Sequence, residues 1–236
     1  MERLLEQLVD RLKKAFGVRL KSVILYGSAA SGEREDRFSD YNVLCVLREV
    51  TPRELADSAA IVHWWREQGN PSPLMLSEEE VRNAADCFPI EFHDILERRR
   101  VLHGEDAVAG LVIHDHFYRA QVEYELRSKL LQLRQKAAGT LTDKNNLRVL
   151  MADSVSTFCV LIRHAMRLTG AQAPFEKRGV VQAASAHFGF DAAPFLRLLD
   201  LRENKVKPRE VDPVPLLGHY MRQIQVVIDA VDRLEK

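Results

Sequence analysis

The residues of this sequence that could do chemistry cluster between positions 23 and 47. An apolar run that ends at Tyr26 is followed at once by Gly27 and Ser28. A glycine directly after a strand lets the backbone approach a ligand closely, and a helix that begins there presents free N–H groups to a phosphate. The Ser28 hydroxyl adds one more donor. We therefore predict a phosphate-binding turn at Gly27–Ser28.

Asp40 and Asn42 stand at the start of a second apolar run, residues 41–47. Strand side chains alternate, so positions i and i+2 project from one face, roughly 6–7 Å apart. Such a pair of oxygen-bearing groups can hold Mg²⁺ ions about 3.5–4 Å apart across a transferring phosphate. Asparagine keeps an oxygen for a hard cation but lacks the charge of aspartate. Asp40 and Asn42 are the predicted metal ligands.

A later segment, residues 88–95, alternates between apolar and polar side chains, which predicts a fourth strand. Glu91 and His93 share its polar face, whereas Asp94 falls on its apolar face. A histidine beside a carboxylate is more often a hydrogen-bonded neighbour than a metal ligand or base. Glu91 is the candidate that this pattern leaves for chemistry.

The order of these residues resembles the nucleotidyltransferase signature of the DNA polymerase beta superfamily. It is most similar to the small bacterial and the aminoglycoside nucleotidyltransferases. The matching residues are Gly27-Ser28, then Gly32, then Ser39-Asp40-x-Asn42. The sequence departs from the family pattern at Ser31, where arginine is usual, and at Asn42, which makes the usual Asp-x-Asp motif a degenerate Asp-x-Asn.

The resemblance implies a nucleoside triphosphate bound with Mg²⁺ and a nucleotide transferred to an unknown hydroxyl acceptor. It also implies a third carboxylate near the first two. Glu91 is the first candidate for that metal ligand and for the group that takes the proton from the acceptor, and Asp94 is the second. Arg98, Arg99 and Arg100 invite a role in triphosphate binding, although a solvated arginine is the commoner case for each.

Two further hypotheses stay open beside an active Mg²⁺-dependent nucleotidyltransferase. Asn42 favours a catalytically impaired nucleotide-binding or regulatory protein on the same scaffold. A partner-binding protein, such as one half of a toxin–antitoxin pair, is the other. Arg98 and His103 have the Arg-x4-His spacing of helical HEPN ribonucleases, but they fall in a predicted strand-to-loop region rather than a helix.

The elements that must position these residues form two parts. Helical spacing predicts a helix over residues 2–16, and Thr51-Pro52 begins another that carries Trp64 and Trp65, at least one of them in the core. After Gly104 the pattern is helical throughout. We predict an α+β fold: a small mixed β-sheet nucleotidyltransferase domain with helices on one face, residues 1–106, then an all-α helical bundle, residues 107–236. The resemblance implies that such a bundle completes the substrate cleft.

Composition limits the partners and the cellular location that can be expected. The 236 residues carry 34 basic and 34 acidic side chains, so no basic excess favours a polyanionic partner. No signal peptide or apolar run of about 18 residues is evident, which predicts a cytoplasmic protein without a membrane span.

Cys45, Cys87 and Cys159 are predicted to be reduced core residues. A homodimer formed through the helical half is an open alternative.

Overall fold

The computed structural model describes residues 2–31, 41–83 and 85–234. The chain divides into two compact units, Met1–Asp115 and His116–Lys236. The sequence placed this division after residue 106. The segment that follows β4 remains with the first unit because its apolar side chains join one of that unit's core clusters; they are Ala107, Val108, Leu111 and Ile113.

The described residues of the first unit form a four-stranded mixed sheet with the order β3-β2-β1-β4. Its strands are β1 (Leu20–Tyr26), β2 (Asn42–Leu47), β3 (Leu74–Ser77) and β4 (Arg99–Gly104). Strand β1 pairs antiparallel with β2 and β4, and β2 pairs parallel with β3. Tyr26 lies opposite Asn42 on one side and Arg99 on the other, so these strand ends meet.

Helices cover both faces of this sheet. Helices α1 (Glu2–Phe16) and α2 (Pro52–Glu67) pack on the face that receives Val43, Cys45 and Leu47. Helices α3 (Glu78–Asn83) and α4 (Pro89–Glu97) lie on the side that receives Leu44 and Val46. Alternate β2 side chains thus enter opposite cores, as strand geometry requires. The α+β class predicted from the sequence is confirmed, but the helices cover both faces of the sheet rather than the one face predicted, because the strands bury apolar side chains on both sides.

The fourth strand predicted over residues 88–95 is wrong, because this segment forms helix α4. Pro89 occupies the first helical turn, where its missing N–H has no intrahelical partner to lose. Phe92 and Ile95 are both fully buried, and their spacing of three residues suits one side of a helix. The strand of the sheet begins only at Arg99.

Two helix starts in this unit have capping side chains, one of them at the predicted Thr51. Thr51 caps α2, and Glu54 completes a capping box by accepting from the Thr51 N–H at 3.1 Å. The Ser77 backbone N–H and hydroxyl donate to Glu80 at 2.7 and 2.8 Å at the start of α3. These bonds satisfy N–H groups that a helix start otherwise leaves open.

The second unit is helical, as predicted. Its helices are α5 (Tyr118–Thr140), α6 (Lys144–Leu168), α7 (Lys177–Phe188), α8 (Ala193–Arg202) and α9 (Pro213–Asp232). Helix α6 is long and apolar enough to cross a membrane by composition, but 61% of its apolar window is buried inside the protein. That burial is typical of a helix in a protein core.

The cysteine prediction holds at two of its three positions. Cys45 and Cys159 are buried free thiols, whereas Cys87 is exposed between α3 and α4. Burial raises the pKa of the Cys45 and Cys159 thiols to about 12, so both stay protonated at neutral pH.

Candidate functional site

Gly27 forms a sharp turn at the end of β1. Its φ of 78° is in the left-handed region, and a Cβ added here would lie 3.4 Å from Asn42 Nδ2. The Gly27 N–H donates to the Arg98 carbonyl at 3.0 Å, and its own carbonyl accepts from the Ala30 N–H at 3.0 Å. Residues Ser28–Ser31 then form a short 3-10 helix. Glycine adopts this left-handed backbone without strain, and a larger residue here would place its Cβ in contact with the Asn42 amide.

Asn42 begins β2 directly opposite Tyr26. It alternates with Tyr41 and Val43, which enter the core under α1 and α2, so its amide projects toward the side of α4. The Tyr41 N–H donates to Asn70 Oδ1 at 3.2 Å, which fixes the start of the strand. The position of the Asn42 side chain beside Gly27 brings a predicted metal ligand to the predicted phosphate turn.

Several predicted residues lie outside the described part of the chain. They are Gly32, Ser39 and Asp40, together with the Ser28 side chain. Asp40 directly precedes Tyr41, whose backbone is fixed by Asn70.

Two acidic side chains reach the same end of the sheet from helix α4. Glu91 and Asp94 lie one turn apart on one helix face; Glu91 is exposed and Asp94 is half-buried. Burial first, then the charges of Asp94 and Glu91, raise the pKa of Tyr26 to about 12. Both carboxylates are therefore close enough to Tyr26 to act on its phenol, and Asp94 has the larger effect.

The pKa of Tyr26 thus connects α4 with the β1–β2 corner. The predicted Glu91 is brought to this corner, but on a helix rather than on a strand. Asp94 was only the second candidate because residues 88–95 were predicted to form a strand, in which Asp94 and Glu91 lie on opposite faces. The proline at the start of α4 is the signal that could have placed both acids on one helix face.

His93 has the hydrogen-bonding role expected of it. It is 7% exposed, and its Nε2 lies 2.6 Å from Asp115 Oδ1. Since Asp115 ends the first unit, this contact holds the end of the unit against α4.

Arg99 and Arg100 are engaged in ion pairs. Arg99 binds both carboxylate oxygens of Asp106, at 2.9 and 3.2 Å, and Arg100 pairs with Glu2 at 3.0 Å. Arg98 directly follows α4, and its backbone carbonyl accepts a hydrogen bond from the Gly27 N–H. His103 lies within β4, outside any helix, so the HEPN spacing lacks its helical context.

The corner offers oxygen donors of the type that Mg²⁺ prefers. Asn42 supplies an amide oxygen, and Asp94 and Glu91 supply carboxylates. Within residues 2–31, 41–83 and 85–234, no cluster of three His, Cys, Asp or Glu side chains is close enough to hold a metal. The oxygen donors of Asn42, Asp94 and Glu91 are of the chemical type that binds Mg²⁺. A complete set of metal ligands would also need Asp40.

No family model matches this sequence, and no curated protein matches it. A solved structure does match: spectinomycin adenyltransferase AAD(9) from Enterococcus faecialis with ATP and spectinomycin. The TM-score is 0.60 at 12% identity, and the match covers 98% of this chain and 99% of that chain. Over nearly its whole length, the chain therefore has the same fold as that adenyltransferase.

Proposed function

We propose that this protein binds a nucleoside triphosphate with Mg²⁺ at the corner between β1, β2 and α4, and transfers a nucleoside monophosphate to a hydroxyl acceptor. The observation that carries this proposal is the position of Asn42 beside Gly27 and opposite Tyr26, whose pKa the charges of Asp94 and Glu91 help to raise. A phosphate-type turn and hard oxygen donors at one corner suit a metal-bound polyphosphate.

Each residue has a distinct role in this proposal. The backbone at Gly27 and Ser28 receives the phosphates, because glycine permits close approach and the following N–H groups are donors. Asp40, Asn42 and Asp94 bind the metal. The exposed Glu91 takes the proton from the acceptor hydroxyl, which requires access to solvent and substrate. Mg²⁺, when bound, offsets the charge of the phosphates.

The different burial of Glu91 and Asp94 supports different roles for the two side chains. Asp94 is half-buried and has the stronger effect on Tyr26, which suits a fixed ligand. Glu91 lies one turn nearer the start of α4 and is exposed, which suits a group that meets an incoming substrate. The sequence-based choice of Glu91 as metal ligand is retained as the alternative assignment.

The direct test is Mg²⁺-dependent pyrophosphate release from ATP with spectinomycin as the first acceptor. Asp40→Ala and Asp94→Asn should each lower turnover by about 100-fold or more, as removal of a metal-binding charge does. Asp10→Asn, an exposed residue of α1, is the matched control and should retain full turnover. Equal rates in Asp40→Ala and Asp10→Asn would refute this site.

A second candidate function is a regulatory protein that binds the nucleotide without transferring it. Asn42 favours it, since an amide offsets less metal charge than a carboxylate. The discriminating variant is Asn42→Asp. Turnover that is present only in Asn42→Asp, with ATP binding equal in both proteins, would support regulation; turnover in the natural protein would exclude it.

A further inference from the structure

Asn70 is a buried polar residue beside the start of β2. It lies in the connection between α2 and β3 and is 9% exposed. Its Oδ1 accepts a hydrogen bond from the Tyr41 N–H at 3.2 Å. Because a backbone N–H can only donate, the amide oxygen must face Tyr41 and the NH₂ group must take the other position. The orientation of the Asn70 amide is therefore fixed by this bond.

The NH₂ group of Asn70 has no acceptor in the described part of the chain. Its nitrogen, Nδ2, is buried, and no atom of residues 2–31, 41–83 or 85–234 accepts a hydrogen bond from it. A buried donor without an acceptor costs free energy, and native proteins rarely keep one. We therefore expect the acceptor of Nδ2 outside those residues.

The amide of Asn70 supplies more than the start of the strand requires. The ladder between β2 and β3 begins opposite Leu44, and Pro71 and Pro73 have no N–H groups with which to extend it toward Tyr41. The Asn70 oxygen binds the Tyr41 N–H at this point instead. An aspartate or serine side chain also has an oxygen for that purpose, whereas the amide adds two N–H donors. These donors indicate a second role for Asn70.

Asp40 is covalently next to the atom that Asn70 binds. The Tyr41 N–H belongs to the peptide bond between Asp40 and Tyr41, so two covalent bonds separate the Tyr41 nitrogen from the Asp40 Cα. The oxygen and the nitrogen of the Asn70 amide are attached to one carbon, so Nδ2 also lies near this peptide bond. A hydrogen bond to an ionised carboxylate is stronger than one to a neutral acceptor. The Asp40 carboxylate is the acceptor that fits Nδ2 best.

We infer that Asn70 is a positioning residue for Asp40: its Oδ1 fixes the peptide bond that follows Asp40, and its Nδ2 donates to the Asp40 carboxylate. A carboxylate has two oxygens, so one can accept from Asn70 while the other binds a metal ion. Hydrogen bonds of this kind orient metal ligands and strengthen metal binding. The effect on metal binding rests on the proposed function, whereas the hydrogen bond does not.

The side-chain amide signals of Asn70 in NMR test the hydrogen bond without metal or nucleotide. The chain has six asparagines, so labelling asparagine with ¹⁵N gives few signals, and Asn70→Ser identifies those of Asn70. Asp40→Ala removes the acceptor and should move the Asn70 amide proton signals upfield. Asp36→Ala, four residues earlier, is the matched control and should leave them unchanged. Unchanged signals in Asp40→Ala, or equal changes in both variants, would overturn the inference.

Calorimetric titration with Mn²⁺ in the presence of ATP tests the effect on metal binding. Asn70→Ala should weaken Mn²⁺ binding by about tenfold or more, as loss of a group that orients a metal ligand does. Gly69→Ala is the matched control in the same connection: it strains the backbone, at φ of 83°, without removing the amide. Gly69→Ala should bind Mn²⁺ as the natural protein does. An equal loss in both variants would mean that Asn70 acts only through the fold of this connection.

The two experiments separate this inference from the proposed function. A natural protein that binds no Mn²⁺ with ATP would refute the proposed function and, with it, the effect of Asn70 on metal binding. The NMR signals of Asn70 would still decide whether Asn70 holds the Asp40 carboxylate. Conversely, normal Mn²⁺ binding in Asn70→Ala would refute the positioning role and leave the proposed metal site in place.

Discussion

The two faces of the sheet in the first unit differ most where the strands end. On the face under α1 and α2, the core continues to the ends of β1 and β2, where Tyr41 is 3% exposed and stacks near the fully buried Trp65. On the face under α4, Ile24, Leu44 and Val46 are buried, but the next positions are Tyr26 and Asn42, with Asp94 nearby. The face under α1 and α2 is covered by apolar core up to the strand ends, and we call it the closed face. On the face under α4 the apolar core ends one position earlier and polar side chains form a corner.

This difference shows how a small domain can keep carboxylates beside its core. The corner residues are half-buried or exposed, so they need not bear the full cost of desolvation. The closed face provides the stability that a polar corner does not. Substitutions on the two faces should therefore change different properties: stability on the closed face, ligand binding and titration at the corner.

The largest effect is expected from Trp65→Ala on the closed face. It removes a fully buried side chain from the core between α1, α2 and the sheet, and should lower the free energy of unfolding by about 3–5 kcal/mol. The two tryptophans of the chain both lie in the first unit, so urea unfolding followed by fluorescence reports on this unit.

The adjacent Trp64 is the matched control for that experiment. It is half-buried, with Arg11 at 4.3 Å from its ring, and Trp64→Ala should cost about 1 kcal/mol. Equal losses in the two variants would mean that the closed face is no better packed at Trp65 than at its rim.

The next effect is expected at the turn of the open corner. Gly27→Ala forces a side chain into the left-handed region beside the Asn42 amide, and should lower stability by about 1–2 kcal/mol and also weaken ATP binding. Gly69→Ala has the same backbone strain, with φ of 83° and no atom within 4 Å of the new Cβ. Calorimetric titration with ATP should distinguish them, because Gly69→Ala should lose stability alone.

A smaller effect is expected from Glu54→Gln, again on the closed side. The Thr51 hydroxyl first, and the Arg19 guanidinium also, lower the pKa of Glu54 to about 2, despite the opposing effect of burial. A depressed carboxyl pKa contributes stability above its unfolded value of 4.5, and that contribution is lost as pH falls from there toward 2.

Thermal unfolding across pH measures this contribution. The variant should have a lower Tm than the natural protein at pH 7, and the difference should shrink progressively below pH 4.5. Glu49→Gln, an exposed residue after β2, should match the natural protein at every pH. A Glu54→Gln difference that is constant with pH would exclude the ionised carboxylate as its source.

The smallest effect is a change in titration at the corner. Removing the charge of Asp94 or Glu91 should lower the pKa of Tyr26 from about 12, while burial, the first cause of the shift, keeps it above 10.0. NMR of Cζ-labelled tyrosine between pH 8 and 11.5 should show Asp94→Asn titrating earliest, then Glu91→Gln. A larger change in Glu91→Gln would reverse the order of proximity assigned to the two acids.

The sequence predicted the elements whose signals are local. The signals for the β1 strand, the Gly27 turn, the Thr51 cap and the helical second half all come from neighbours in the chain, and the structure has these elements. The prediction for the α4 segment was wrong because Phe88, Ile90 and Phe92 fit the two-residue period of a strand, whereas Phe92 and Ile95 fit the period of a helix. Pro89 is the local signal that favours the helix, and packing of Phe92 and Ile95 against the sheet is what stabilises it.

The candidate site was predictable in its parts and not in its geometry. Gly27 and Asn42 meet because β1 and β2 pair with Tyr26 opposite Asn42, a register that no local pattern specifies. The position of Asp94 depends on the orientation of α4, a segment that was predicted to be a strand. The arginines beside the site were ambiguous for the same reason: their partners Asp106 and Glu2 are set by tertiary structure.

Those arginines have a consequence for solubility. Strand β4 is the last in the sheet order, and in the described residues it is hydrogen-bonded to β1 alone. A strand with one unpaired side invites another chain to add to it, and charged side chains on such a strand deter that addition. Replacing Arg99 and Arg100 together by threonine should make the protein more prone to form cross-β aggregates in concentrated solution.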